Sequence, residues 1–169
     1  MSKKFLIWVS LGILTLIFSS ILLFAQEEPT MPQADVTPPP IFLRPSDLHW
    51  KDAPPAVPKG AKVALVYGDP ATGPYAQFVK VPKGYIFKPH FHEQNESVIL
   101  ISGTVVAGFG EKIDEKSGTT LKAGGYGFIP ASQAHWAVAK TEAMFYQQVS
   151  GPASVTYVDP QDDPRGVKR

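Results

Sequence analysis

The chain has 169 residues, and its 16 lysines and arginines nearly balance its 15 aspartates and glutamates, for a formal net charge of +1. This balance provides no broad basic surface, so we expect no nucleic-acid partner. Cysteine is absent, which excludes disulfide bonds, iron–sulfur clusters and zinc sites built on thiolates. The 17 prolines and 14 glycines, many in short clusters, favour an all-β chain with many turns over a helical bundle.

The N-terminal segment has the layout of an export signal. Lys3 and Lys4 precede residues 5–24, which contain no charged side chain. This pattern predicts either a cleaved signal peptide or an uncleaved membrane anchor over residues 1–25. Because the positive end stays inside, we expect the rest of the chain to be exported to the periplasm or the cell exterior. An uncleaved segment 5–24 would tether it to the inner membrane.

Residues 26–45 are rich in proline, which suits neither a helix interior nor a central strand. They are predicted to form an extended linker. The alternative is a proline-rich ligand for a partner domain. The linker leads to a single predicted domain over residues 46–158, and residues 159–169 are expected to be a polar, frayed C-terminal tail.

Between about residues 48 and 158, short apolar or alternating runs are separated by Gly, Pro, Asp or Asn. Such spacing predicts an all-β sandwich or barrel, and no segment of this region keeps a helical period. The apolar run 97–101 predicts a central strand that is buried on both faces. The predicted strands are 62–67, 75–81, 85–92, 97–109, 119–121, 126–129, 135–140, 143–149 and 155–158.

Three histidines and one glutamate form a candidate metal site. His90 and His92 alternate on a predicted strand, so their side chains project to the same face. Glu96 follows a polar, turn-compatible stretch that can bring its carboxylate back to the imidazoles. His135 opens a later strand, after Pro130 and a short loop. Three imidazoles and one carboxylate suit a divalent transition metal, which could be iron, manganese, nickel, copper or zinc. Taken singly, each histidine could instead be structural, and His49 belongs to no such pattern.

These residues resemble the two characteristic motifs of the cupin superfamily. The first motif is matched by Gly84, His90, His92, Glu96 and Gly103, and the second by Gly124, Pro130 and His135. The second motif departs from the family pattern at Ser132, where glycine is usual, and at Ala139, where asparagine is usual. The resemblance, which is to small single-domain cupins, implies a double-stranded β-helix, or jelly-roll, barrel that dimerises. It also implies that His90, His92, Glu96 and His135 hold one ion inside the barrel.

The expected site allows more than one function. A redox metal such as iron or copper would support an oxygenase, whereas a redox-silent ion would support an isomerase or a lyase. The third hypothesis is that the protein is a non-catalytic cupin that binds a metal or a small ligand. The chain has three arginines, Arg44, Arg165 and Arg169, and all of them lie before or after the predicted domain 46–158. No arginine is therefore expected to bind a phosphate group at the site, which disfavours sugar phosphates and nucleotides as substrates. We therefore expect an exported metal-dependent oxygenase acting on a small, weakly charged molecule such as a phenol or a diketone.

Two further polar positions bear on the site. Gln147 and Gln148 are neighbours on the predicted strand 143–149, so only one of them can face the interior. The inward glutamine could orient a ligand, support a metal-binding histidine or satisfy a backbone group. Lys88 shares strand parity with His90 and is expected near the site or, more simply, at the rim of the barrel.

Overall fold

The structure is a computed structural model that describes residues 40–166. The predicted signal or anchor over residues 1–25 lies outside the described residues, as do residues 26–39 of the predicted linker and the last three residues of the chain. Within residues 40–166, no helix is both long enough and apolar enough to cross a membrane.

The described residues form eleven strands and two short 3-10 helices, Pro45–Asp47 and Pro160–Asp162. All eleven strands lie inside the predicted domain 46–158. In chain order they are β1 Lys51–Asp52, β2 Lys62–Gly68, β3 Tyr75–Val81, β4 Ile86–Phe91, β5 Glu96–Ser102, β6 Thr104–Phe109, β7 Thr119–Lys122, β8 Tyr126–Ile129, β9 His135–Ala139, β10 Ala143–Val149 and β11 Thr156–Tyr157.

The strands build two antiparallel sheets. Six strands form one sheet in the order β1-β2-β3-β10-β5-β8, and five form the other in the order β11-β4-β9-β6-β7. Consecutive strands repeatedly fall in different sheets, which is the connectivity of a jelly-roll barrel. The predicted all-β cupin fold is therefore confirmed.

The side chains alternate between the two faces of each sheet. Alternate residues of β9 illustrate the consequence, since Ala139 belongs to the main core between the sheets and Trp136 to a separate cluster. The main core contains Ala61, Val63, Val79, Val81, Tyr85, Leu100, Val105, Ala139 and Ala143. The second cluster joins Trp136 to Val106 and Val138, with Ile113 packed against it. This parity places His135 on the interior face and Trp136 on the opposite one.

The predicted strand 97–109 is in fact two strands, β5 and β6, which lie in different sheets. The chain crosses between the sheets at Gly103, whose φ of +92° is in the left-handed region that favours glycine. A Cβ atom at this position would lie 2.3 Å from the carbonyl oxygen of Glu142. The single glycine therefore ends one strand and starts the next without the polar loop that usually signals a turn.

The expectation that run 97–101 is buried on both faces is wrong. Leu100 is only 3% exposed, but Ile99 and Ile101 are each 40% exposed. Strand β5 lies beside the edge strand β8, and Ile99 pairs with Tyr126 on that strand. Within residues 40–166, no second layer covers this outer row, so the apolar alternation has only one buried face.

Residues 159–166 of the predicted C-terminal tail contact one another and the domain. Asp159 caps the helix Pro160–Asp162 by accepting a hydrogen bond from the backbone N–H of Gln161. Arg165 pairs with Asp163 at 2.6 Å and donates to the carbonyl oxygen of Val155 at 3.0 Å. These bonds are contacts that the polar composition of the tail does not predict.

Candidate metal centre

The three predicted histidines meet on the interior face of the five-stranded sheet. His90 is on β4 and pairs in register with His135 on β9, while His92 follows the end of β4. The ring centroids of His90 and His135 are 4.2 Å apart, and those of His90 and His92 are 4.9 Å apart. One nitrogen from each ring lies within 4.8 Å of the others. This spacing allows all three nitrogens to reach a single ion.

Two local irregularities produce this convergence. The register between β4 and β9 shifts between Phe87 and His90, an interval that contains Pro89, which has no N–H to contribute to the ladder. The loop before β9 is held to the end of β4 because the N–H of Ser132 donates to the carbonyl oxygen of His92 at 2.7 Å. Ser132 has a φ of +63°, which explains why glycine is usual at this motif position.

Backbone carbonyl groups fix the orientation of each imidazole. The Nδ1 atom of His90 lies 2.6 Å from the carbonyl oxygen of Lys88, and that of His135 lies 3.0 Å from the carbonyl oxygen of Gln133. The Nδ1 atom of His92 contacts the carbonyl oxygen of Ser154. Because a carbonyl oxygen only accepts, each Nδ1 carries the proton, and the neutral ring offers the lone pair of Nε2 to the interior.

Glu96 supplies the fourth group, at the start of β5. Its Oε2 atom lies 2.9 Å from Nε2 of His92 and 3.8 Å from Nε2 of His135. Its Oε1 atom accepts a hydrogen bond of 2.8 Å from Nε2 of Gln147. Oε2 is buried and has no hydrogen-bond donor among the described residues. With neutral imidazoles, Oε2 and the Nε2 atoms are all acceptors facing one another.

Burial and the contact between Glu96 and His92 together set the protonation of this cluster. Burial lowers the pKa of His90 to about 3, with the nearby His135 and His92 adding to the effect. Burial likewise lowers the pKa of His135. Burial opposes protonation of His92, but the carboxylate of Glu96, whose Oε2 lies 2.9 Å from Nε2, leaves its pKa raised. Burial opposes ionisation of Glu96, but the contact with His92 keeps its pKa below the usual value. The buried carboxylate of Glu96 requires a cation beside it, either the protonated ring of His92 or a bound metal ion.

The donor set fits a divalent transition metal. Three imidazole nitrogens and one carboxylate oxygen are a nitrogen and oxygen shell that such ions accept. The orphaned Oε2 of Glu96 is the independent sign, because a buried acceptor without a donor costs free energy unless an ion or a proton reaches it. The structure thus brings together all four residues that the sequence singled out, His90, His92, Glu96 and His135.

Two chambers of different size meet this cluster. The larger has a volume of about 320 Å³, and His90 and His135 are among its lining residues. Its other walls are almost wholly apolar. The smaller has a volume of about 120 Å³ and is lined by His90 and His92 together with polar side chains such as Gln147. His90, Phe87 and Phe145 line both chambers and form the partition between them.

The sequence analysis did not identify Gln77 near this centre, and it left undecided which of Gln147 and Gln148 faces the interior and where Lys88 lies. Gln147 is the inward glutamine, and it contacts Glu96 instead of a histidine. Gln77 was not predicted, although it donates to Oε1 of Gln147 at 2.6 Å. The available signal was its position on β3, where it shares parity with the buried Tyr75 and Val79. Lys88 pairs with Asp162 at 3.6 Å, at the rim.

Solved structures of similar shape include several enzymes. One is a protein provisionally assigned as an acetylacetone dioxygenase from Methylibium petroleiphilum PM1. It is 25% identical to this chain, the matched region spans 74% of this chain and 85% of that protein, and the TM-score is 0.58. An acetylacetone dioxygenase from Acinetobacter johnsonii is 24% identical, covers 72% of this chain and 80% of its own, and has a TM-score of 0.57. The polyketide cyclase RemF from Streptomyces resistomycificus is 18% identical, covers 74% of this chain and 89% of its own, and has a TM-score of 0.59.

Sequence comparison identifies the family. No curated protein matches this chain significantly. The sequence profile of the ChrR cupin-like domain matches residues 39–153, which contain both cupin motifs and all four candidate ligands. The chain therefore belongs to the ChrR cupin-like family of the cupin superfamily.

Proposed function

We propose that this protein is a metal-dependent cupin whose ion is held by His90, His92, Glu96 and His135. The observation that carries the proposal is the convergence of lone pairs, since Oε2 of Glu96 lies 2.9 Å from Nε2 of His92 with no donor on it among the described residues. Carbonyl groups already orient the imidazoles, so little reorganisation is needed for binding.

The large chamber is proposed to take a small, weakly charged organic substrate such as a phenol or a diketone. None of the described residues lining this chamber is Lys, Arg, Asp or Glu. Its inner wall includes Val98, Leu100 and Leu121, which would cover an apolar molecule and exclude water. A phosphate or a nucleotide would find no cationic partner there.

The reaction proposed for this pair of ion and chamber is oxygenation. A bound iron or copper ion would supply the capacity to engage both dioxygen and the organic substrate. The protein would hold the ion through three imidazoles and Glu96 and place the substrate beside His90 and His135. The dioxygenase assignment of the 25% identical protein from Methylibium petroleiphilum PM1 supports this choice.

The test is metal analysis followed by an oxygen-uptake assay. The purified protein should contain close to one equivalent of transition metal per chain. Iron-, copper- and manganese-loaded samples are then assayed with phenolic and diketone substrates. Oxygen consumption that depends on both metal and substrate, and that is absent from the His135→Ala variant, is the expected result. Tight sugar-phosphate binding would contradict the substrate class.

A non-catalytic binding protein is the second candidate. Apart from His90 and His135, the only titratable side chain that lines the large chamber among the described residues is Tyr126, which is 59% exposed. A general acid or base is therefore scarce, which favours binding over isomerase or lyase chemistry. Metal and ligand binding without turnover in the assay above would establish this alternative.

Export is proposed as the setting of this function. The support is the pair Lys3 and Lys4 ahead of the uncharged residues 5–24. A fusion of the full chain to a phosphatase that is active only outside the cytoplasm should give activity, and deletion of residues 1–25 should abolish it. Extraction with alkaline carbonate would separate the cleaved from the anchored form.

A homodimer is also proposed, as the cupin resemblance implies. The exposure of Ile99 and Ile101, each 40%, and of Phe128, 48%, provides apolar surface on the six-stranded sheet. Light scattering after size-exclusion chromatography should give twice the mass of one chain, and a single-chain mass would refute the dimer.

A further inference from the structure

Two glutamines form a hydrogen-bonded chain that ends on the candidate metal ligand. Gln77 on β3 and Gln147 on β10 are register partners across adjacent strands. Nε2 of Gln77 donates to Oε1 of Gln147 at 2.6 Å, and Nε2 of Gln147 donates to Oε1 of Glu96 at 2.8 Å. The chain thus crosses three neighbouring strands of the six-stranded sheet, β3, β10 and β5.

The direction of these bonds is fixed by their chemistry. An amide has a donor end and an acceptor end, whereas an ionised carboxylate only accepts. Because Gln77 donates to the carbonyl oxygen of Gln147, the NH₂ group of Gln147 is the end that faces Glu96. That bond occupies Oε1 of Glu96 and leaves Oε2 directed at His92 and His135. The two amides therefore set the rotation of the carboxylate, with one oxygen on Gln147 and the other facing the imidazoles.

We propose that Gln147, held by Gln77, is the positioning residue of the metal centre. It fixes the orientation of the Glu96 carboxylate so that the oxygen not bonded to Gln147 faces the imidazoles. This inference rests on the proposed function, since it assumes that Glu96 binds the ion. Neither glutamine would touch the ion; both act through the carboxylate.

The principal variant is Gln147→Leu, which keeps the approximate volume and removes the donor. Metal affinity, measured by competition with a chromophoric chelator, should fall about 10- to 100-fold, which is the usual effect of losing a hydrogen-bonded support of a ligand. The visible spectrum of the cobalt-loaded protein should change as well, because the carboxylate is free to turn. A purely structural role would leave that spectrum unaltered.

Gln148→Leu is the matched control. Gln148 is the next residue on the same strand, is exposed and has the opposite parity. The same substitution there should leave the metal affinity and the cobalt spectrum as in the wild-type protein.

Two further variants separate polarity from reach. Gln147→Asn keeps the amide but shortens it by one methylene, so it should weaken metal binding as the leucine variant does. Gln77→Leu leaves Gln147 in place and removes only the bond that orients it, so a smaller loss of affinity and a spectral change are expected. Should Gln147→Leu fail to fold, Gln77→Leu still tests the orientation.

The outcomes distinguish this inference from the proposed function. If the wild-type protein binds no transition metal, the proposed function fails. If the wild-type protein binds metal and both Gln147→Leu and Gln77→Leu match it in affinity and cobalt spectrum, the positioning role fails and the metal centre stands.

Discussion

At the scale of single residues, the centre is defined by what Glu96 lacks. Its side chain is 5% exposed, and one of its oxygens meets only nitrogen lone pairs when the imidazoles are neutral. A buried charge of this kind costs several kcal/mol without a partner. Glu96 is the one buried carboxylate among the described residues, and it lies where the three histidines converge.

Removing one imidazole should therefore abolish tight metal binding. In His135→Ala the ion loses one of three nitrogen ligands, and we expect its dissociation constant to rise by at least about 100-fold, more than for the loss of a supporting bond. Isothermal titration with zinc or cobalt measures the change. His49→Ala is the matched control, because His49 is exposed and lies outside the centre. Equal affinity in the two variants would contradict the assignment of His135.

The sequence could predict three of the four candidate ligands because their spacing is local. Strand alternation relates His90 to His92, and the short turn brings Glu96 back. His135 was placed by the resemblance to cupins rather than by distance along the chain. Gln77 could not be found in this way, since it meets Gln147 across 70 residues. Only the pairing of β3 with β10 brings them together, and nothing local in the sequence specifies that pairing.

At the scale of elements, the turn at Gly103 separates β5 and β6, which lie in different sheets. Strand periodicity predicted most strand positions, but it joined β5 and β6 because Gly103 is the only break between two apolar runs. The prediction failed since a crossing between sheets depends on a backbone angle and on the closeness of Glu142, and neither leaves a compositional trace.

Substitution of Gly103 should destabilise the fold more than substitution of Gly84, which also has a positive φ. Gly84 has a φ of +81° and open space around its Cα, so Gly84→Ala pays only the left-handed strain of about 1–2 kcal/mol. Gly103→Ala adds a collision with the carbonyl of Glu142, and we expect a loss clearly larger than that of Gly84→Ala. Urea denaturation of both variants tests this, and equal losses would show that the contact relaxes freely.

The loop between β1 and β2 is tied to the barrel by two tyrosine hydroxyl groups. Tyr85 donates to the carbonyl oxygen of Pro58 at 2.5 Å, and Tyr157 donates to that of Ala56 at 2.9 Å. Burial raises the pKa of Tyr85 above its ordinary value and that of Tyr157 to about 12, so both hydroxyls keep their protons well into the alkaline range. Ala56 and Val57 of this loop line the small chamber, which the two bonds therefore help to close.

Loss of the Tyr85 hydroxyl should lower stability near neutral pH but not in strong alkali. Tyr85→Phe removes one hydrogen bond, which is worth about 1 kcal/mol. Above about pH 10 the unfolded chain ionises its tyrosines while the buried Tyr85 stays protonated, so the wild-type protein loses stability as pH rises towards the folded pKa. The variant lacks this contribution, and the difference from wild type should shrink with rising pH.

Urea titrations at pH 8 and pH 11 measure that difference. Tyr126→Phe is the control, because Tyr126 is 59% exposed and its hydroxyl contacts only the exposed hydroxyl of Ser97 within hydrogen-bonding distance. A difference between Tyr85→Phe and wild type that is constant with pH would contradict the role of burial.

At the scale of the whole molecule, the candidate ligands come from both sheets. His90 and His135 lie on adjacent strands of the five-stranded sheet, and Glu96 begins a strand of the six-stranded sheet. An ion held by all of them would link the two layers of the barrel across the core. Such a link adds to the apolar contacts between the sheets and is absent from the unfolded chain.

Metal binding should therefore raise the melting temperature of the protein. An ion that binds only the folded state at a free concentration 100 times its dissociation constant adds about 2.7 kcal/mol, which for a chain of this size corresponds to roughly 5–10 °C. Scanning calorimetry with and without a chelator measures the shift. Glu96→Gln removes the charged link to the six-stranded sheet, and a neutral amide binds the ion less tightly. At the same free metal concentration, its metal-induced rise in melting temperature should therefore be smaller than that of the wild-type protein. A full shift in Glu96→Gln would mean that the histidines alone hold the ion and that the five-stranded sheet carries the whole site.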